Sequence, residues 1–155
     1  MEYIKHGHTI ANHTFTHSIF KGLYNSSDSF IDAVVKQEEL VKQMTNGYVT
    51  NIVRFPGGSD TANYFKVKNE SIDKLKQRGY GWVDWSSQIG DGGYLPNSDV
   101  AWKNFTGSIN ENIEVVLLHD YHPITTSLLP NIIEYLESNG YILLPLFYES
   151  SMVNK

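Results

Sequence analysis

The sequence predicts an α/β fold built on a parallel sheet, open or closed as a barrel. Three observations carry that reading. Amphipathic helical stretches alternate with short apolar runs along the chain. Two of those runs, "VVLL" and "ILL", are continuously apolar, which suits strands covered on both faces. Helical stretches also close repeatedly on glycine before a β-branched or aromatic run, at Gly7, Gly47, Gly79 and Gly140. Glycine suits that closing position because it has no Cβ to clash in the left-handed conformation.

The elements can be taken in order. "MEYIKHGH" reads as the last turn of a helix that begins earlier, or as a frayed terminus. A short strand follows near "TIAN". In "SFIDAVVKQEELVKQM" Phe30, Ile31, Val34, Val35, Val41 and Met44 share one broad face, which predicts a helix, with Ser29 and Asp32 as its start signal. "NIVRF" is the next strand. A shorter helix is expected from Ser71 to Arg78, with Ile72 and Leu75 inward, and then "YGWVDW" as a strand. "GDGGYLPNSDVAWKNFTGS" reads as a long irregular connection, a kind that often serves active sites. "EVVLLHD" is a strand. Ser127 to Ser138 is a helix with Leu128, Leu129, Ile132, Ile133 and Leu136 inward and Pro130 in its first turn. "YILLPLF" is the last strand. Residues 1–148 are expected to form one domain and 149–155 a tail.

Composition limits the function. The chain has 155 residues, a net charge of −5 and no cysteine. Nothing steers it toward nucleic acid. Disulfides, thiolate metal sites and a cysteine nucleophile are excluded. No apolar run is long enough to span a bilayer, and the N-terminus shows no secretory signal.

Parallel strands deliver their terminal residues to one rim. The residues after the apolar runs are His13 and His17, then Arg54, Pro56 and Gly57, then Asp84, Trp85 and Asp91, then His119, Asp120 and His122. His13 and His17 are four apart, which on a helical turn stacks two imidazoles on one face, able to share a divalent ion. Taken alone, such a pair reads rather as surface or capping histidines; the other residues of the rim turn the reading toward a metal. A catalytic zinc needs a third protein ligand, and only Glu2, His6 and His8 precede the pair; His8 sits at the helix exit. His119 ends the most apolar run, where a partly desolvated imidazole makes a usable proton donor; the plainer reading is a core histidine bonded to a carbonyl. Asp120 reads as a cap and His122 as loop surface. Arg54 offers a fixed cation, and the Pro-Gly-Gly turn can aim backbone N–H groups at an oxyanion.

"NHTFTH", "RFPGG", "DWSSQIGDGG" and "VVLLHD", in this order and spacing, resemble the polysaccharide deacetylases of the NodB-homology or carbohydrate esterase family 4 type, particularly the peptidoglycan and chitin deacetylase-like proteins. The resemblance runs from Met1 to about Phe147. It implies a distorted (β/α) barrel, here a partial one lacking its first strands, and metal-dependent hydrolysis of N-acetyl groups on an amino-sugar polysaccharide. It implies His13 and His17 as metal ligands, zinc first and cobalt second. Arg54 is implied as the residue that orients the base, and the Gly57 backbone as oxyanion donor. His119 is implied as general acid, Asp91 as the second acidic position of its motif, and Trp85 as part of the substrate-binding set. The family's Asp-Asp motif, which holds the third metal ligand and the general base, is absent from this chain. Gln88 stands in the place of the aspartate that usually supports the acid histidine. An extracellular or cell-surface location is implied, though this chain carries no signal peptide.

The chain is therefore expected to be an incomplete, weakly active or inactive deacetylase, prone to self-association or completed by a separate N-terminal piece that covers an exposed edge. The alternative is a non-catalytic carbohydrate-binding or barrel-completing module, with Trp82, Trp85, Trp102 and Tyr94 as sugar-facing rings.

Overall fold

The computed structural model describes residues 2–148. The predicted tail lies outside the described residues. The chain divides into two compact units, residues 1–84 with 145–155, and residues 85–144.

The first unit holds helix α1 (Glu2–Lys5), a 3₁₀ turn (Ile19–Lys21), helices α2 (Ser27–Met44) and α3 (Phe65–Gln77), and strands β1 (Ile52–Val53) and β2 (Gly81–Trp82). β1 pairs in parallel with β2, Ile52 opposite Gly81 and Val53 opposite Trp82. On the other side of β1, Asn12 forms a parallel bridge to Val53. The expected parallel pairing is present, though only a few residues long. Phe30, Ile31 and Val34 of α2 pack with Val53, Phe55 and Leu75 in one core. Phe30 and Phe55 stack with ring centroids 4.5 Å apart.

Two expectations for these helices needed correction. Ser26, not Ser29, caps α2, and its Oγ accepts from the Ser29 N–H. Met44 is exposed because it lies in the last turn, beyond the core. α3 starts at Phe65 rather than Ser71, because two polar residues face inward. Lys68 and Ser71 are both buried, with Ser71 Oγ bonded to the Val67 carbonyl at 2.7 Å.

The second unit holds β3 (Ser87–Gln88), α4 (Ser98–Ser108), β4 (Val116–Leu117) and α5 (Pro123–Ser138). β3 and β4 are parallel, Ser87 opposite Val116 and Gln88 opposite Leu117. Their core joins Ile89, Leu95, Ala101, Phe105, Ile132 and Leu136. The stretch expected to be an irregular connection contains α4. Asn97 caps it, its side chain accepting from the Val100 N–H at 2.9 Å, and Ala101 and Phe105 are its buried residues. α5 begins at Pro123, so Pro123 takes the first-turn position expected of Pro130, which lies inside the helix. Ile132 and Leu136 point inward as expected. Leu129 and Ile133 are exposed and stand outside the core cluster of this unit.

"YILLPLF" is not a strand among the described residues, and Ile142 and Leu144 are 81% and 78% exposed. A strand needs a neighbour for its backbone groups, and an apolar run alone does not provide one. Gly7, Gly47, Gly79 and Gly140 all take positive φ, as the repeated closing pattern required. No helix is long and apolar enough to cross a membrane among the described residues.

Candidate functional site

His13, His17, Arg54 and Gly57 belong to the first unit; Trp85, Asp91 and His119 belong to the second.

His13 and His17 do meet, with ring centroids 4.8 Å apart and planes inclined by 66°. The expected helical turn is not what joins them. They sit on a loop in which Thr14 and His17 adopt left-handed φ values of 65° and 52°. Buried Asn12 shapes that loop. Its Nδ2 donates to the Val34 carbonyl at 2.8 Å, and its Oδ1 accepts from the Thr14 N–H at 2.9 Å. Thr14 Oγ1 in turn accepts from the His17 N–H at 3.3 Å. The His13 Nδ1 lies 2.7 Å from the Arg54 carbonyl. A carbonyl only accepts, so Nδ1 carries the proton and the lone pair of the neutral ring stands on Nε2. That tautomer and the close second imidazole fit two positions of a divalent cation's coordination sphere. Among the described residues, no group of three His, Cys, Asp or Glu could hold a metal. His6 pairs with Glu2 on α1, 3.5 Å apart, and His8 lies against Tyr3.

Arg54 is half-buried at the end of β1, and no carboxylate of the described residues forms an ion pair with it. Burial lowers its pKa, and the negative charge of Asp84 offsets part of that. After it, Gly57 and Gly58 take φ of 77° and 83°, so this turn demands glycine twice.

In the second unit His119 has a carboxylate of its own. Its Nδ1 is 2.8 Å from Asp91 Oδ1, and its backbone N–H donates to Asp91 Oδ2 at 2.7 Å. Thr125 Oγ1, from the first turn of α5, donates to the same Oδ2 at 2.5 Å. Asp91 is buried. Burial pushes its pKa up, but the hydrogen bonds from Thr125 and from the His119 ring and backbone outweigh that and hold it below the usual carboxylate value. The expectation that Gln88 replaces the supporting aspartate is therefore corrected. Gln88 is exposed on β3, its backbone N–H bonded to Ser108 Oγ, while Asp91 does the supporting three residues later. The plainer reading of His119 as a carbonyl-bonded core histidine falls with it.

Two contributors escaped the sequence reading. Thr125 was hidden in a predicted loop. Gly92 packs so closely on the imidazole that a Cβ there would lie 3.1 Å from His119 Cε1; the signal was the run Gly90-Asp91-Gly92-Gly93. His122, not Asp120, caps α5, accepting the Ile124 N–H at its Nδ1. Trp85 is half-buried. Trp102 packs on Phe105 and Tyr135, and Trp82 joins the first core beneath Lys76. Of the four proposed sugar-facing aromatics, Tyr94 alone is open to solvent, at 91% exposure.

The family model for polysaccharide deacetylase matches residues 1–79. The chain belongs to the polysaccharide deacetylase family. No match is found among curated proteins. Solved structures agree with the family assignment. The catalytic domain of peptidoglycan N-acetylglucosamine deacetylase from Eubacterium rectale ATCC 33656 is 28% identical, with a TM-score of 0.89 over 99% of this chain and 72% of that one. A Streptococcus mutans CE4 esterase is 26% identical, with a TM-score of 0.79 over 93% of this chain and 65% of that one. A mutant of a CE4 family pseudoenzyme is 25% identical, with a TM-score of 0.71 over 94% of this chain and 48% of that one. The fold class expected from the sequence, the α/β partial barrel of the deacetylase type, is thus the one found. Deacetylases of this family are generally metal-dependent, act on carbohydrate and are often extracellular or at the cell surface.

Proposed function

We propose that the chain serves metal-dependent hydrolysis of N-acetyl groups on an amino-sugar polysaccharide, peptidoglycan or chitin-like. The single observation that carries this reading is the His119–Asp91 pair, held by Thr125, because breaking an acetamide requires a proton at the leaving nitrogen. The similar Eubacterium rectale protein is named for the same chemistry on peptidoglycan N-acetylglucosamine.

His13 and His17 would hold the cation, zinc first and cobalt second. When bound, such a cation supplies Lewis-acid polarisation and a water of lowered pKa. Water adds to the acetamide carbon and gives one proton to a carboxylate of the completing segment, the carbon–nitrogen bond breaks, and the nitrogen takes the Nε2 proton of His119, releasing a free amine and acetic acid, which ionises to acetate. Asp91 keeps the ring's Nδ1 protonated and directs Nε2 outward. The Gly57 N–H donates to the developing oxyanion. Trp85 is assigned to the substrate-binding set. With no third His, Cys, Asp or Glu beside the imidazole pair among the described residues, the chain by itself is weakly active or inactive. A segment bearing the missing carboxylates, or a second copy of the chain, would complete it.

The test is acetate release from N-acetylglucosamine oligomers with added zinc or cobalt, alongside the visible spectrum of bound cobalt. Turnover is expected to be low and to fall about 10²–10⁴-fold in His119→Ala. The cobalt spectrum is expected to disappear in His13→Ala with His17→Ala. Undiminished turnover in the first variant, or an unchanged spectrum in the second, sinks the reading.

A further inference from the structure

Below the Pro-Gly-Gly turn lies a set of buried polar groups that the mechanism above does not use. Lys68 of α3 is 2% exposed, and no carboxylate of the described residues forms an ion pair with it. Its Nζ donates to the Gly58 carbonyl at 2.7 Å and to Thr61 Oγ1, and it lies 5.1 Å from the centre of the Tyr24 ring. Tyr24, also buried, donates its hydroxyl to the Pro56 carbonyl at 2.8 Å. Buried Asp84 accepts from the Ser59 N–H at 2.9 Å and from the Ser59 hydroxyl. The Gly58 N–H closes the turn on the Phe55 carbonyl at 2.9 Å.

The backbone groups of the turn can be counted one by one. The carbonyls of Pro56 and Gly58 and the N–H groups of Gly58 and Ser59 are all taken by protein partners. Pro56 has no N–H. Among the described residues, the Gly57 N–H has no acceptor, and Gly57 is exposed. Burying an ammonium is costly unless it is hydrogen-bonded and balanced by opposite charge; Lys68 has bonds to the turn, and the negative charges of Asp84 and Asp60 offset part of the cost of burial. A lysine at this place is therefore poorly explained as packing. It is well explained as a donor that reaches a carbonyl in a turn too tight for backbone partners.

We infer that Lys68, with Tyr24 and Asp84, is a positioning device that clamps the Pro56–Ser59 turn from below and leaves the Gly57 N–H as its one outward donor. The three side chains come from different parts of the first unit, so the turn is held from several directions at once. The oxyanion-binding consequence rests on the deacetylase reading; the clamp itself does not.

The experiment separates the two. Amide resonances and hydrogen exchange of Gly57, Gly58 and Ser59 are recorded for the wild type, Lys68→Met and Tyr24→Phe, without ligand. Both variants should shift the resonances of all three amides and speed exchange of the bonded Gly58 and Ser59 amides at least about tenfold, while amides of Val34 and Val53 stay protected. Tyr24→Phe loses one hydroxyl and keeps the ring, so it remains informative if Lys68→Met does not fold. Unchanged Gly57–Ser59 amides in Tyr24→Phe, or in a folded Lys68→Met, overturn the clamp. Acetate, the product anion, is then titrated. A shift at the Gly57 amide in the wild type, weakened in the variants, supports the oxyanion role. If the turn loosens but acetate moves Gly57 in no protein, the clamp stands and the oxyanion reading falls. In turnover assays the variants should lower kcat about tenfold, less than the about 10²–10³ lost with a whole oxyanion donor, with KM within about twofold.

Discussion

The two units prepare histidines in opposite ways. In the second, His119 is closed on its own partner: a buried carboxylate takes both its ring and its backbone N–H, and Thr125 fixes that carboxylate. In the first, His13 and His17 are oriented by neutral groups, a carbonyl and an Asx-type turn around Asn12, and Arg54 has no ion-pair partner among the described residues. A proton donor needs its counter-charge built in, since the imidazolium must be stable before substrate arrives. A cation site needs the reverse, because ligands must reach the metal neutral or anionic and must not be neutralised by each other. On the proposed reading, the contrast separates a proton donor whose partners are all present from a metal cradle of which the imidazole pair is one part.

The sharpest way to break the comparison is in the cores beneath the two sites. Phe30→Ala and Phe105→Ala each empty a fully buried aromatic position and should cost about 3–5 kcal/mol in urea unfolding. Equal losses would mean that both sites stand on equally tight packing. A loss below about 1 kcal/mol at Phe105 would show that the second unit is not the rigid base that the His119 pair requires.

A smaller effect should follow Asp91→Asn. The folded-state pKa of Asp91 is below its ordinary value, so its ionised form stabilises the fold above about pH 4, and that contribution fades as pH falls through the lowered pKa. The melting temperature of Asp91→Asn should therefore lie below the wild type at pH 7, with the gap closing below about pH 4. A gap independent of pH would mean that shape, not charge, is what His119 needs from this residue.

The smallest effect is expected at the helix caps. Ser26→Ala in the first unit and Asn97→Ala in the second each remove a side-chain acceptor for a first-turn N–H and should cost about 1 kcal/mol, read by thermal melting. A larger cost at Asn97 would show that α4 depends on local signals more than α2 does, consistent with its weaker apolar pattern.

Much of this molecule could be read from local sequence. The α2 face and the glycine closures follow from periodicity and from the absence of a Cβ at glycine, which act over a few residues. His13, His17, Arg54 and His119 could be singled out as polar groups following apolar runs, while Gly57 and Asp91 were marked by the family resemblance. What misled the reading was partnership. "YILLPLF" has the composition of a strand and pairs with nothing among the described residues. Lys68 has the composition of a solvated helix face and is buried, because the Gly58 carbonyl and the Thr61 hydroxyl accept from its ammonium. Gln88 held the expected place in the motif, yet Asp91 reached the imidazole, because the Gly90–Gly93 segment redirects the chain and leaves room against the ring. Which residues are candidates for chemistry was set by residue type and spacing. Which of them touch was decided only when long-range hydrogen bonds and close packing selected one partner for each, a choice that no local propensity contains.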